Sequence, residues 1–215
     1  MYLKINGVAV IFFTAERLLC MQFTFDLDGR TLFTYEEYRA MLDDEIVNGK
    51  TTGSNQSEAM LAYTKMNIVR MNRWDKTAKL TEEVRKVVNA VPKQKWIVLT
   101  EGWCGDAAQN LPIIFKMSEQ NEQIDLHIIL RDNNVDIMDA YLTNGGRSIP
   151  KLIAVDDNKK VLFTWGPRPQ KMQQAVMKIK EEGGDYAKVV HKMYARDKAV
   201  SIQNEFVNLL RPKLA

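Results

Sequence analysis

Lys95-Trp96-Ile97-Val98-Leu99-Thr100-Glu101-Gly102-Trp103-Cys104-Gly105-Asp106 is the stretch on which the fold turns. Trp96-Ile97-Val98-Leu99 is a short unbroken apolar run, the pattern of a strand covered on both faces. After Asp106 comes a helical stretch carrying Leu111, Ile114, Phe115 and Met117. Strand, turn and helix place Cys104 at a helix N-terminus, where unpaired backbone N–H groups and the positive dipole end favour thiolate over thiol. The opposing reading is a buried structural cysteine, because free cysteines are among the most buried residues.

Outward from this stretch the pattern is regular. Ile124 to Leu130 reads as a second strand, and Val135 to Leu142 as a short helix ended by Asn144-Gly145-Gly146. Pro150 to Val155 and Val161 to Trp165 flank Asp156-Asp157-Asn158-Lys159, a β-hairpin. Helices are expected from about Pro169 to Glu182 and from Tyr186 to Leu210, with Gly183-Gly184 between them. Toward the N-terminus, Phe23, Phe25, Leu27 and Leu32 around Asp28-Gly29-Arg30 suit a short strand or hairpin. Thr34-Tyr35-Glu36-Glu37 is a capping box for a helix from Tyr35 to Val47 that stops at Asn48-Gly49. A second helix from Ser57 carries Met60, Thr64, Ile68, Met71 and Trp74 as a buried stripe, and a third runs from about Lys79 to Ala90. The fold class is α/β: a small mixed sheet with helices on both faces.

At 215 residues, with 46% hydrophobic and 27% charged residues, the chain is an ordinary globular one, which excludes disorder, collagen-like sequence and coiled-coil arrays. Two cysteines cannot make a disulfide scaffold. A net charge of +3 from interspersed acids and bases gives no ground for nucleic-acid binding. Arg70, Arg73, Lys76 and Lys79 read as a solvated helix face. No apolar run approaches a membrane span, so a cytoplasmic protein without membrane attachment is expected. His127 and His191 lack partners at ligand spacing, so no metal is expected. Gly49-Lys50-Thr51 ends like a phosphate-binding loop, but Asp44 stands where the first glycine belongs, and that motif is rejected.

Trp103-Cys104-Gly105 resembles the start of the thioredoxin W-C-G-P-C motif, Pro112 falls where thioredoxins kink the active-site helix, and Ser148-Ile149-Pro150 resembles their cis-proline loop. The resemblance to the thioredoxin superfamily covers roughly Thr77 to Glu182 and, more narrowly, looks like a bacterial group with a single-cysteine W-C-G-D motif. It implies a thioredoxin-like fold for residues 77–182; beside it, residues 1–20 read as a doubtful leader, 21–76 as a mainly helical N-terminal extension and 183–215 as a C-terminal helical tail. It implies Cys104 as the reacting residue, with Trp103, Gly105, Ile149 and Pro150 at the substrate surface and no cofactor; Asp106 as a catalytic partner of the sulfur and Arg147 on the substrate surface are added from their positions beside these motifs. Ile149-Pro150 being cis is part of that implication.

The departures are as informative. Ala107 replaces the second cysteine, so a mixed disulfide at Cys104 has no adjacent resolving thiol, and Val98 stands where thioredoxins bury an acid in the strand. Cys20 lies in the doubtful leader and nothing places it nearby. Asp106 is either a base beside the sulfur or a first-turn acid stabilising the helix; Arg147 either offsets its charge or is solvated. Dipole and Asp106 oppose each other, so a modest depression of the thiol pKa is expected. Two functions follow: a monothiol redox protein exchanging with a low-molecular-weight thiol or protein disulfide, or a non-catalytic thioredoxin-fold binding module. A peroxide-reactive cysteine ranks last, for want of the Thr/Pro-rich sequence before the sulfur. No oligomeric state is implied.

Overall fold

The computed structural model describes residues 2–5, 8–11 and 26–211. Its elements begin with β1 (Tyr2–Ile5) and β2 (Val8–Ile11), an antiparallel pair, then α1 (Tyr35–Val47), α2 (Glu58–Thr77) and α3 (Glu82–Asn89). They continue with β3 (Gln94–Thr100), α4 (Gly105–Ser118), β4 (Ile124–Leu130), α5 (Val135–Ala140), β5 (Lys151–Val155) and β6 (Val161–Trp165). Last come α6 (Gln170–Glu181), α7 (Tyr186–Asp197) and α8 (Val200–Leu210).

The sheet order is β4-β3-β5-β6, with β3 parallel to β4 and antiparallel to β5, and β5 antiparallel to β6. β3 is central, and its apolar run is explained by alternation. Trp96 and Val98 face one core with Leu42, Met71, Leu111 and Phe206. Ile97 and Leu99 face a second with Ile129, Ile137, Ile149, Ile153 and Cys104. The Trp96 and Phe206 ring centroids lie 5.4 Å apart, fixing α8 under the first face. The α/β class and the helices on both faces stand as expected.

The differences are local. The capping box of α1 is present, Thr34 and Glu37 bonding reciprocally at 2.8 and 3.2 Å. Of the strand or hairpin expected at 22–33, the described part, from residue 26, holds a turn closed by Arg30 N–H on the Leu27 carbonyl and a bridge from Phe33 to Ile128; Phe23 and Phe25 lie outside the described residues. Much of the doubtful leader, Cys20 included, also lies outside them. On α2 the buried positions are Thr64, Asn67, Met71 and Trp74, while Met60 and Ile68 are only half-buried. α3 begins at Glu82 because Thr81 caps it, its hydroxyl accepting from the Val84 N–H at 3.3 Å. α5 stops at Ala140; Asn144 and Gly145, both at positive φ, form the turn of a Thr143–Gly146 bridge instead of ending the helix.

The helix expected from Tyr186 to Leu210 is broken. Lys198 and Ala199 take left-handed φ of 51° and 62°, and Asp197 then accepts the Ser201 N–H at 3.0 Å, opening α8. Without the break, α7 could not lie over the α4 N-terminus while α8 packs under the sheet.

Gly166 backs the site. Its φ is +118°, and a Cβ there would stand 2.1 Å from the Pro150 carbonyl oxygen. Gly166→Ala therefore combines a forbidden backbone with a clash against main chain. We expect it to cost about 3 kcal/mol in urea unfolding; an unchanged midpoint would contradict this packing.

Candidate functional site

The loop before Cys104 is held by the N-terminal helical segment. Thr52 Oγ1 accepts the Gly102 N–H at 2.7 Å, and Asn67 Nδ2 donates to the Gly102 carbonyl at 2.9 Å. Both backbone groups of this residue are thus satisfied by side chains from before residue 77. A Cβ on Gly102 would meet Leu42 Cδ2 at 2.6 Å, which is why glycine stands there. The boundary drawn between 76 and 77 therefore separates residues that share one hydrogen-bonded unit.

Cys104 is the N-cap of α4, its sulfur accepting the Ala107 N–H at 3.4 Å. Its thiol donates to the Ile149 carbonyl at 3.2 Å. The Ile149-Pro150 bond is cis. Cys104 is 7% exposed, at the wall of a cleft of about 700 Å³ that Trp103, Gly105, Asp106, Arg147 and Ile149 also line. Pro150 is buried behind Ile149 and does not reach the cleft.

The thiol pKa runs against the expected depression. Burial foremost, and then the charge of Asp106, push it up to about 12; the Ala107 and Asp106 N–H groups and Arg168 pull the other way and lose. The helix dipole was the wrong effect to weigh most heavily, because desolvation of a thiolate with so little water contact exceeds it. Cys104 rests as a thiol.

Asp106 is neither a free base nor merely a first-turn acid. Its carboxylate is gripped by Arg168 through both oxygens, Nε at 3.1 Å, and accepts the Tyr194 hydroxyl at 2.7 Å. Asn110 Nδ2 donates to the Tyr194 oxygen and to the Asp106 carbonyl, each at 2.8 Å. The Asp106 and Arg168 side chains are each 14% exposed. Arg147 pairs with Asp139 through two bonds of 2.6 and 2.8 Å, leaving Arg168 to offset Asp106. Arg131 lies over the Trp103 ring, 4.9 Å from its centroid, and pairs with Asp132.

Residues from distant elements complete the site, and the sequence reading missed them: Arg168 after β6, Tyr194 and His191 on α7, and Arg70 and Asn67 on α2. Arg70 corrects the solvated stripe, since its guanidinium turns into the cleft; Arg73 instead stacks over Trp74, 4.9 Å from its ring. Glu101 was also missed. The acid absent from β3 has a counterpart just beyond it, fully buried, with Oε1 accepting the Asp132 N–H at 2.9 Å and its pKa raised by burial. The signal available was an acid between an apolar run and the Trp-Cys pair. His127 has a carboxylate after all, Asp125 at 2.9 Å. Among the described residues no group of His, Cys, Asp and Glu could hold a metal, and no helix is long and apolar enough to cross a membrane.

A thioredoxin family model matches residues 53–183. An HIV epitope scaffold is similar at 13% identity and a TM-score of 0.53, over 85% of this chain and 100% of that one. A protein of unknown function from Pseudomonas aeruginosa is similar at 15% identity and a TM-score of 0.51, over 82% of this chain and 96% of that one. Both are likenesses of fold. No curated protein matches the sequence.

Asp106→Asn removes the negative charge that raises the thiol pKa and frees Arg168 to favour the thiolate. The thiol pKa is expected to fall, read from thiolate absorbance against pH; a rise would contradict the placement of Asp106. The same substitution should cost about 3 kcal/mol, because it leaves a largely buried guanidinium unpaired.

Proposed function

The chain belongs to the thioredoxin family, and on that premise we propose that it performs thiol-disulfide exchange as a monothiol protein acting through Cys104. The observation that carries this reading is the Cys104 thiol at the head of α4, 3.2 Å from the Ile149 carbonyl on the wall of the cleft. An incoming disulfide replaces water at that wall, with Trp103 and Ile149 as the docking surface. Cys104 gives its proton to solvent base, and the thiolate attacks one substrate sulfur. The substrate S–S bond breaks, its other half leaves as a thiolate that takes up a proton, and a mixed disulfide remains on Cys104. A second low-molecular-weight thiol attacks the substrate-derived sulfur and Cys104 leaves as thiolate. With Ala107 in place of a second cysteine, that external thiol is required. A protein of this kind, with a single-cysteine W-C-G-D motif, suits the reducing cytoplasm, and either a small thiol or a protein disulfide is a fitting partner.

A second reading is a binding module, favoured by the same thiol being 7% exposed and pushed up to about 12. There the sulfur is a hydrogen-bond donor and the cleft takes a ligand without exchange.

The two readings part on kinetics. For the monothiol protein, release of a mixed-disulfide substrate should vanish in Cys104→Ser. In the unaltered chain it should rise about tenfold per pH unit from pH 7 to 10, because the thiolate is the nucleophile and its pKa lies above that range. A plateau near pH 8 would contradict the raised pKa. No release at any pH leaves the binding module.

A further inference from the structure

The cleft beside Cys104 is strongly one-signed. Among the described residues Arg70, Arg131, Arg147, Arg168 and Lys180 line it, against the single carboxylate of Asp106. Three of these cations already have carboxylates: Arg131 has Asp132, Arg147 has Asp139 and Arg168 has Asp106. Lys180 stands over the Tyr186 ring, 4.8 Å from its centroid. Arg70 differs in being half-buried with, among the described residues, only uncharged hydrogen-bond partners. Nη1 donates to Asn67 Oδ1 at 2.9 Å, and Nη2 lies 3.3 Å from His191 Nε2.

Half-burying a guanidinium without an anion is unfavourable, and here burial and nearby Arg73 both oppose its charge. Such a site is relieved when a ligand brings the anion. Its position relates it to the sulfur. A Cβ on Gly105 would stand 3.5 Å from Arg70 Nη1 and 3.6 Å from His191 Cε1, so this pair roofs the residue next to Cys104. Arg70 comes from α2 and His191 from α7, so the segments before and after the sheet domain build this roof together. The remaining His191 nitrogen, Nδ1, is shielded from solvent and has no hydrogen-bond partner among the described residues.

We propose that Arg70, with His191 against it, is a carboxylate subsite of the cleft, and that the thiols and disulfides accepted at Cys104 are small molecules bearing a carboxylate a few bonds from sulfur. The planar fork of Arg70 matches a carboxylate, whose two oxygens can take both terminal nitrogens. A neutral disulfide gains nothing from it. The inference deepens the exchange reading and rests on it for its kinetic test.

Two disulfide probes separate charge from reactivity: 5,5′-dithiobis(2-nitrobenzoate), with a carboxylate on each ring, and neutral 2,2′-dithiodipyridine. Relative to free cysteine under the same conditions, Cys104 should favour the dianionic probe about tenfold, the scale of one charge-assisted contact. The preference should shrink as salt is added. Arg70→Gln should abolish it, bringing the ratio of dianionic to neutral rates down to that of free cysteine, and Arg73→Gln, on the same helix but outside the cleft, should preserve it. A preference that survives Arg70→Gln, or is absent from the unaltered protein, overturns the subsite without touching the exchange reading. If neither probe reacts, the exchange reading falls, and calorimetry on Cys104→Ser with S-methylated 2-nitro-5-thiobenzoate decides the subsite. Binding weakened about tenfold by Arg70→Gln upholds it, and undetectable or unaffected binding ends it.

Discussion

A carboxylate in the first turn of α4, 14% exposed and next to a buried sulfur, is the constraint around which this site is arranged. Asp106 cannot keep its charge there without partners. It draws them from far along the chain: Arg168 from the loop after β6, and Tyr194 from α7. Those contacts tie the hairpin side of the sheet and the C-terminal segment to the helix that carries Cys104. The consequence for chemistry is unfavourable to the thiolate, because Asp106 adds to the effect of burial. The carboxylate that gathers the walls of the site thus adds to the burial that keeps the Cys104 thiol protonated.

The parts of this arrangement governed by short-range pattern were legible in the sequence. Trp96 to Leu99 announces a two-sided strand, Thr34 and Glu37 a helix start, and Asp156 to Lys159 a hairpin turn, each because the signal lies within a few residues of its structural effect. Cys104 at a helix head follows from the strand, turn and helix around it, Ile149 beside it was reached through resemblance, and the structure puts the thiol 3.2 Å from the Ile149 carbonyl. The break at Lys198 and Ala199 was not legible, since neither residue prefers a left-handed backbone. Its cause is tertiary: α7 and α8 are pulled to different places, one by Tyr194 on Asp106, the other by Phe206 among Trp96, Phe163 and Trp165.

Charge placement was the least legible. Arg70, Arg73 and Lys76 follow one another at equal spacing, yet Arg70 enters the cleft while Arg73 lies on Trp74. The difference is set by Asn67, one turn earlier, which is buried and holds the Gly102 carbonyl with one end of its amide and Arg70 with the other. No periodicity in the sequence marks Asn67, because the Gly102 carbonyl it holds lies 35 residues further along the chain.

The same asparagine connects positioning with recognition. Its amide fixes both the loop that presents Cys104 and the guanidinium that roofs Gly105, so the sulfur and the cation are held in one frame instead of on two independent elements. A ligand that neutralised Arg70 would place its own sulfur against Cys104 without further ordering of the protein, and the entropy of assembling the site would already have been met in folding. A buried thiol with a high pKa reacts slowly with whatever merely collides with it. Under that handicap, the proposed exchange would draw its selectivity from how long a substrate stays, and a cation fixed beside the sulfur would supply that residence to anions.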